Sequence, residues 1–303
     1  MLYISFIIPI IFLLSPVKAW NLDRRCVELG YESVVKNGMT GALDLAAAAV
    51  DTLDALSSHT NNAAQLDLFQ YIFGFAVKTT NGHREVIPEE VNYIKGIYNN
   101  VLKFAVLTGD ERSNDVVIYC DYSRYIEGMD CNGVENSSVA CDKDTSRKVD
   151  MDFSYKSCKS KSGYIPLMAL TGSNGLSNFG QVDICGWYLE FRSKSKIKYW
   201  WHLGAKMLLA WPIHAGYNAL YQRTRMDGYA LLDHTLIHEL THAISVRPTD
   251  DISGWKRCVE FEKKRELGRF NADNYAYFAL DQDIHNFRSE NDQPNRQQAA
   301  STA

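Results

Sequence analysis

The stretch that most constrains this chain runs from Gly228 to Ile244, where His238-Glu239-Leu240-Thr241-His242 is set among apolar residues. The stretch carries the strongest helical pattern in the chain. On a helix, two His four positions apart lie one turn apart on the same face. Their imidazoles can then converge on one zinc ion at about 2 Å. Glu239 is offset by about 100° around such a helix. It would not bind the metal but could reach a water beside it and act as general base for attack on a carbonyl. The plainer alternative is a partly buried helix that carries two His by chance.

His234 extends the same stripe, but it lies about 12 Å along the axis from His242, so three side chains of this row cannot close on one ion. It is expected to be a packed or hydrogen-bonding neighbour. His59, His83, His202, His214 and His285 stand at no metal-binding spacing. A catalytic zinc needs a third protein ligand and an open position for water. Glu260, Glu262 or Glu266 on a following helix could supply the ligand, as could Asp250 or Asp251 in Thr249-Asp250-Asp251. The pattern H-E-x-x-H-x-x-G-x-x-H is excluded, because positions 245 and 248 are Ser and Pro.

The rest of the chain sets the context. Its 303 residues suffice for one large domain with a substantial core. With 46% hydrophobic and 22% charged residues and a formal net charge of -4, it reads as a folded soluble protein lacking the basic face that nucleic acid would require. Ile4 to Leu14 is almost unbroken apolar, and Val17-Lys18-Ala19 offers a small-x-small cleavage site. Such a run matches a signal h-region and is too short to span a bilayer. Residues 1–19 are therefore expected to be a signal peptide, with a secreted mature chain starting near Trp20 and no membrane association after its removal.

Export changes how the seven cysteines read. None shows C-x2-C spacing, and in an oxidising compartment they imply three disulfides with one thiol left over. Asn136-Ser137-Ser138 is a glycosylation sequon consistent with export.

No internal repeat is present. The alanine-rich Leu43–Leu56, the apolar Ala64–Phe75 and the segment from Pro88 to Phe104 all read as helices. Asp115–Tyr122 reads as a buried strand, and Gln181–Phe191 as a second strand with a possible bulge at Gly186. Residues 123–162 read as a stapled loop region. Trp255–Phe270 and Asn271–Phe287 return to helical patterns, and the chain from 289 to 303 is polar and expected to be disordered. The expected architecture is one α+β domain over residues 20–288, mostly helical, with a small sheet.

Three segments together carry a family resemblance. HELTHA, then TDDISGW, then NADNYAYFAL resemble the aspzincins, the deuterolysin-like fungal metallopeptidases that include lysine-specific metalloendopeptidases. Their pattern is H-E-x-x-H, then G-T-x-D-x-x-Y-G, then a segment close to N-A-D-S-Y. The match covers Tyr229 to Leu280. It implies a zincin-like fold, zinc held by His238, His242 and Asp251 (or Asp250 on the alternative alignment), and Glu239 as base. It places Asp273 beside the site as an acceptor that orients a ligand, with Tyr275 near it. The implied product is a monomeric secreted zinc endopeptidase acting on protein or peptide substrates. The sequence departs from the family pattern in having Pro248 for Gly, and Asp251-Ile252-Ser253 runs directly into Gly254-Trp255 with no Tyr between. That Tyr donates to the oxyanion in the family, so a second reading stays open: a zinc-binding relative with little turnover, acting as a binding module.

Overall fold

A computed structural model describes residues 19–61, 63–107, 116–160, 168–172, 180–199, 202, 231–244, 252–262 and 268–280. The expected signal segment up to residue 18, the loop carrying Asp250 and Asp251, and the tail from 289 lie outside them.

The centre is a five-stranded sheet. Strand β1 (Ala19–Leu22) lies between β4 (Val106–Leu107) and β5 (Val116–Tyr119), and all three run parallel. β10 (Gly180–Ile184) pairs parallel with β5, and β9 (Ala169–Gly172) closes that side as an antiparallel edge strand. β5 and β10 are buried along their whole lengths, as strands covered on both faces must be.

Helices form the main cover. The long α2 (Glu32–Ser57) packs against α4 (Pro88–Leu102), and both pack against α7 (Leu232–Ile244). α4 starts as the sequence suggests, with Pro88 in the first turn followed by Glu89 and Glu90 near the positive end of the helix dipole. α3 (Ala63–Phe73) contributes Phe69 and Phe73 to an aromatic cluster with Tyr98, Tyr275 and Phe278. Tyr275 and Phe278 belong to α9 (residues 272–280). Before it come α8 (Trp255–Glu262) and a 3-10 turn, Gly268–Phe270. The architecture is α+β.

Two readings of the sequence need correction. The segment expected as a loop over 123–162 is, over its described residues 123–160, not a loop: β6 (Tyr125–Met129), β7 (Glu135–Asp142) and β8 (Arg147–Asp150) form an antiparallel meander, followed by α5 (Phe153–Ser160). Its strands are short and only the second half of β7 is buried, so no sustained apolar alternation marks them. Gln181–Phe191 is likewise not one strand. β10 ends at Ile184, and helix α6 (Gly186–Lys194) starts two residues later. Cys185 sits at the break in an extended conformation, tied to Cys158 of α5. The aromatic content of Gly186–Phe191 suggested strand, but tertiary packing buries Tyr188 and Leu189 on a helix instead.

Three disulfides form, Cys26–Cys120, Cys131–Cys141 and Cys158–Cys185, and Cys258 carries the seventh thiol. No described helix is long and apolar enough to cross a membrane.

A candidate metal centre

Helix α7 carries the H-E-L-T-H segment and is buried almost all round, from Leu232 to Thr241. The sheet fixes its position. An ideal Cβ at Gly180, the first residue of β10, would lie 2.9 Å from Cβ of Ala243, so only a glycine lets strand and helix meet this closely. On the other side Leu232 and Leu236 reach over Gly38 of α2.

This seating turns His238 and His242 toward each other. Their Nε2 atoms are 3.1 Å apart, and the rings are inclined at 72° with centroids 4.8 Å apart. An ion about 2.05 Å from both nitrogens would subtend an angle of about 100°, close to tetrahedral. Behind His238, Asp273 from α9 accepts from Nδ1 at 2.6 Å. The second carboxylate oxygen of Asp273 accepts from the backbone N–H of Gly254 at 2.9 Å. Burial alone would raise the Asp273 carboxyl pKa, but His238, His234 and the Gly254 N–H outweigh it and hold the pKa below its ordinary value. An ionised Asp273 only accepts, so the proton of the contact sits on Nδ1 of His238; in the neutral imidazole this leaves the Nε2 lone pair for a ligand in the space shared with His242. The donor set and its carboxylate support fit a zinc ion.

Glu239 reaches the edge of the sheet. Its carboxylate accepts from the hydroxyl of Thr171 on β9 at 2.6 Å, and the same hydroxyl lies 3.2 Å from the Glu239 carbonyl. Thr171 belongs to no recognisable motif, so reading the sequence missed it. His234, one turn before His238, is buried with its ring 4.6 Å from that of Tyr277, which is a packing contact as expected.

The other candidates divide clearly. Asp250 and Asp251 lie outside the described residues, as does Glu266. Glu260 is on the exposed side of α8, 3.9 Å from Lys256. For Glu262, α8 includes the backbone position but its side chain is outside the description. Tyr275, expected near the site, is drawn into the aromatic core: its ring meets Phe73 and Tyr98, and its hydroxyl donates to the carbonyl of Arg269 at 2.8 Å. Among the described residues, no group of three His, Cys, Asp or Glu side chains is gathered as a metal site.

Comparison with protein-family models, with curated proteins and with solved structures returns no match to this chain.

Proposed function

We propose that the chain is a secreted, monomeric zinc-dependent metalloendopeptidase of aspzincin type, built on a zincin-like fold. The observation that carries this reading is the convergence of two imidazole Nε2 atoms at 3.1 Å, one of them backed by a buried carboxylate. His238 and His242 would hold the zinc, with Asp251 (or Asp250) as the third ligand. Bound zinc would supply a Lewis acid for the peptide carbonyl and lower the pKa of water at its open position.

The chain's own residues account for the rest. Asp273 keeps His238 in the tautomer that leaves Nε2 available. Glu239 takes a proton from the attacking water and delivers it to the leaving amine nitrogen. The hydroxyl of Thr171 holds the Glu239 carboxylate at the sheet edge, so the base does not swing freely. A peptide substrate suits that edge: among the described residues β9 pairs only on its β10 side, and an extended chain can add to it through backbone hydrogen bonds. Three disulfides and the apolar leader support export.

The test is hydrolysis of an unstructured protein such as casein, with and without a zinc chelator. Cleavage that the chelator abolishes and added zinc restores supports the endopeptidase. Cleavage that survives full zinc removal contradicts it. Protein that holds zinc and cleaves nothing would favour the second reading, a zinc-binding module, for which the missing Tyr before Gly254 is the motive.

A further inference from the structure

We propose that Asn136 is a glycan attachment site: its side-chain nitrogen is presented to solvent from a bulge of β7, ready to accept an oligosaccharide during export. This goes beyond the reading above, because it rests on passage through an oxidising secretory compartment and not on the metal.

Asn136 is followed by Ser137 and Ser138, and of the chain's asparagines it alone has Ser or Thr two positions on with no proline between. The fold puts these residues on an irregular piece of strand. β6 and β7 pair Met129 with Glu135 and Glu127 with Ala140, so Gly128, at φ +77°, is the one residue of β6 set against residues 136–139. The excess on β7 arches out of the ladder, as a bulge does. Glu135, Asn136, Ser137 and Ser138 are all exposed, and burial begins only at Val139. A large hydrophilic group on Asn136 therefore stands in solvent and displaces no core contact.

The chemistry of the side chain is set locally. The Asn136 carboxamide oxygen accepts from the Ser138 N–H at 3.0 Å and from the Ser138 hydroxyl at 2.7 Å. Both donors are two residues away, so this arrangement needs no tertiary contact and is available to the chain before the hairpin closes. With the oxygen engaged, Nδ2 is left to face outward, and two donors on the oxygen draw charge from the nitrogen and make its proton easier to lose. Transfer then joins Nδ2 to the anomeric carbon of an oligosaccharide carried on a lipid diphosphate. The carbon–oxygen bond to the diphosphate breaks, the diphosphate leaves with the electron pair, and the Nδ2 proton passes to a base of the transferring enzyme. The glycan so placed lies within the hairpin closed by Cys131–Cys141 and two residues from Val134, which is 60% exposed. A solvated carbohydrate there covers apolar surface that the exported chain would otherwise offer to others.

The experiment is the intact mass of the full chain made in a eukaryotic secretory host, before and after digestion with a peptide N-glycosidase. It compares wild type, Asn136→Gln, Ser138→Ala and Ser138→Thr. Both positions are exposed, so the variants keep the fold. Wild type should lose mass on digestion and be left with aspartate in place of the asparagine. Asn136→Gln and Ser138→Ala should show only the bare polypeptide, and Ser138→Thr, which retains the hydroxyl, should behave as wild type. Bare wild-type chain, in the medium or retained in the cell, overturns the proposal. So does glycosidase-sensitive carbohydrate that persists in Asn136→Gln or Ser138→Ala. Zinc enters none of these outcomes, so failure here leaves the metallopeptidase reading untouched.

Discussion

His238 can offer a lone pair at Nε2 only while its other ring nitrogen keeps a proton, and a carboxylate 2.6 Å from that nitrogen ensures it. The same logic of burying a charge only with its partners holds away from the site. Arg124 is buried between the central sheet and the β6–β8 meander. Its guanidinium forks onto Asp183 of β10, with Nη2 2.7 Å from Oδ2, and its Nε lies 3.3 Å from Asp142 of β7. It also stacks over Tyr119, with Cζ 3.6 Å from the ring centroid. Gln181 donates to Asp142 at 3.0 Å, and Tyr125 donates to Asp183 at 2.9 Å. Asp183 and Gln181 point away from α7 because they alternate along β10 with Val182 and Ile184, whose side chains lie in the core. Removing the arginine would leave two buried carboxylates without the guanidinium that both contact. Arg124→Met is therefore expected to cost about 3–5 kcal/mol in urea unfolding, and a loss below 1 kcal/mol would mean the pair is more hydrated than its burial suggests.

At the scale of elements, α7 owes its place to a missing side chain. Gly180→Ala sets a methyl 2.9 Å from Cβ of Ala243, and neither atom can rotate out of the way. The strand and α7 must part slightly, with an expected loss of about 1–3 kcal/mol in urea unfolding and weaker zinc binding; unchanged stability would show that the two elements slide freely. The same contrast between local signal and tertiary contact explains what could be read from the sequence. Helices α2, α4 and α7 were legible because their apolar residues recur every three to four positions and their faces are buried. The meander β6–β8 was not, since its apolar residues, such as Ile126, Val139 and Val149, do not alternate regularly with polar ones and only the second half of β7 is buried. The break at Cys185 was hidden because a disulfide to a distant helix, rather than local propensity, ends the strand. Within the site, His238, Glu239, His242 and Asp273 stand in two recognisable segments. Thr171 does not, since only the antiparallel turn-back of β9 brings it to Glu239.

Over the whole molecule, two of the three disulfides tie outer helices to the ends of central strands. Cys26–Cys120 joins α1 (Arg24–Glu28) to the end of β5, Cys158–Cys185 joins α5 to the end of β10, and Cys131–Cys141 closes the β6–β7 hairpin. Cys258 is fully buried, so alkylation of native protein should label no thiol, and alkylation in denaturant without reductant should label one. Mass spectrometry that finds three or more labelled thiols would contradict both the pairing and the oxidising compartment. The pairing fits an extracellular protein, yet the central claim of the proposed function is chemical: one metal bound by His238 and His242, and one proton carried by Glu239. Glu239→Gln keeps the size of the side chain and can still accept from the Thr171 hydroxyl, but it cannot take up the proton. The decisive measurement is zinc content and casein hydrolysis on the same preparations of wild type and Glu239→Gln. About one zinc per chain in both, with hydrolysis in the wild type alone, is the predicted result; hydrolysis by Glu239→Gln at the wild-type rate would contradict the account.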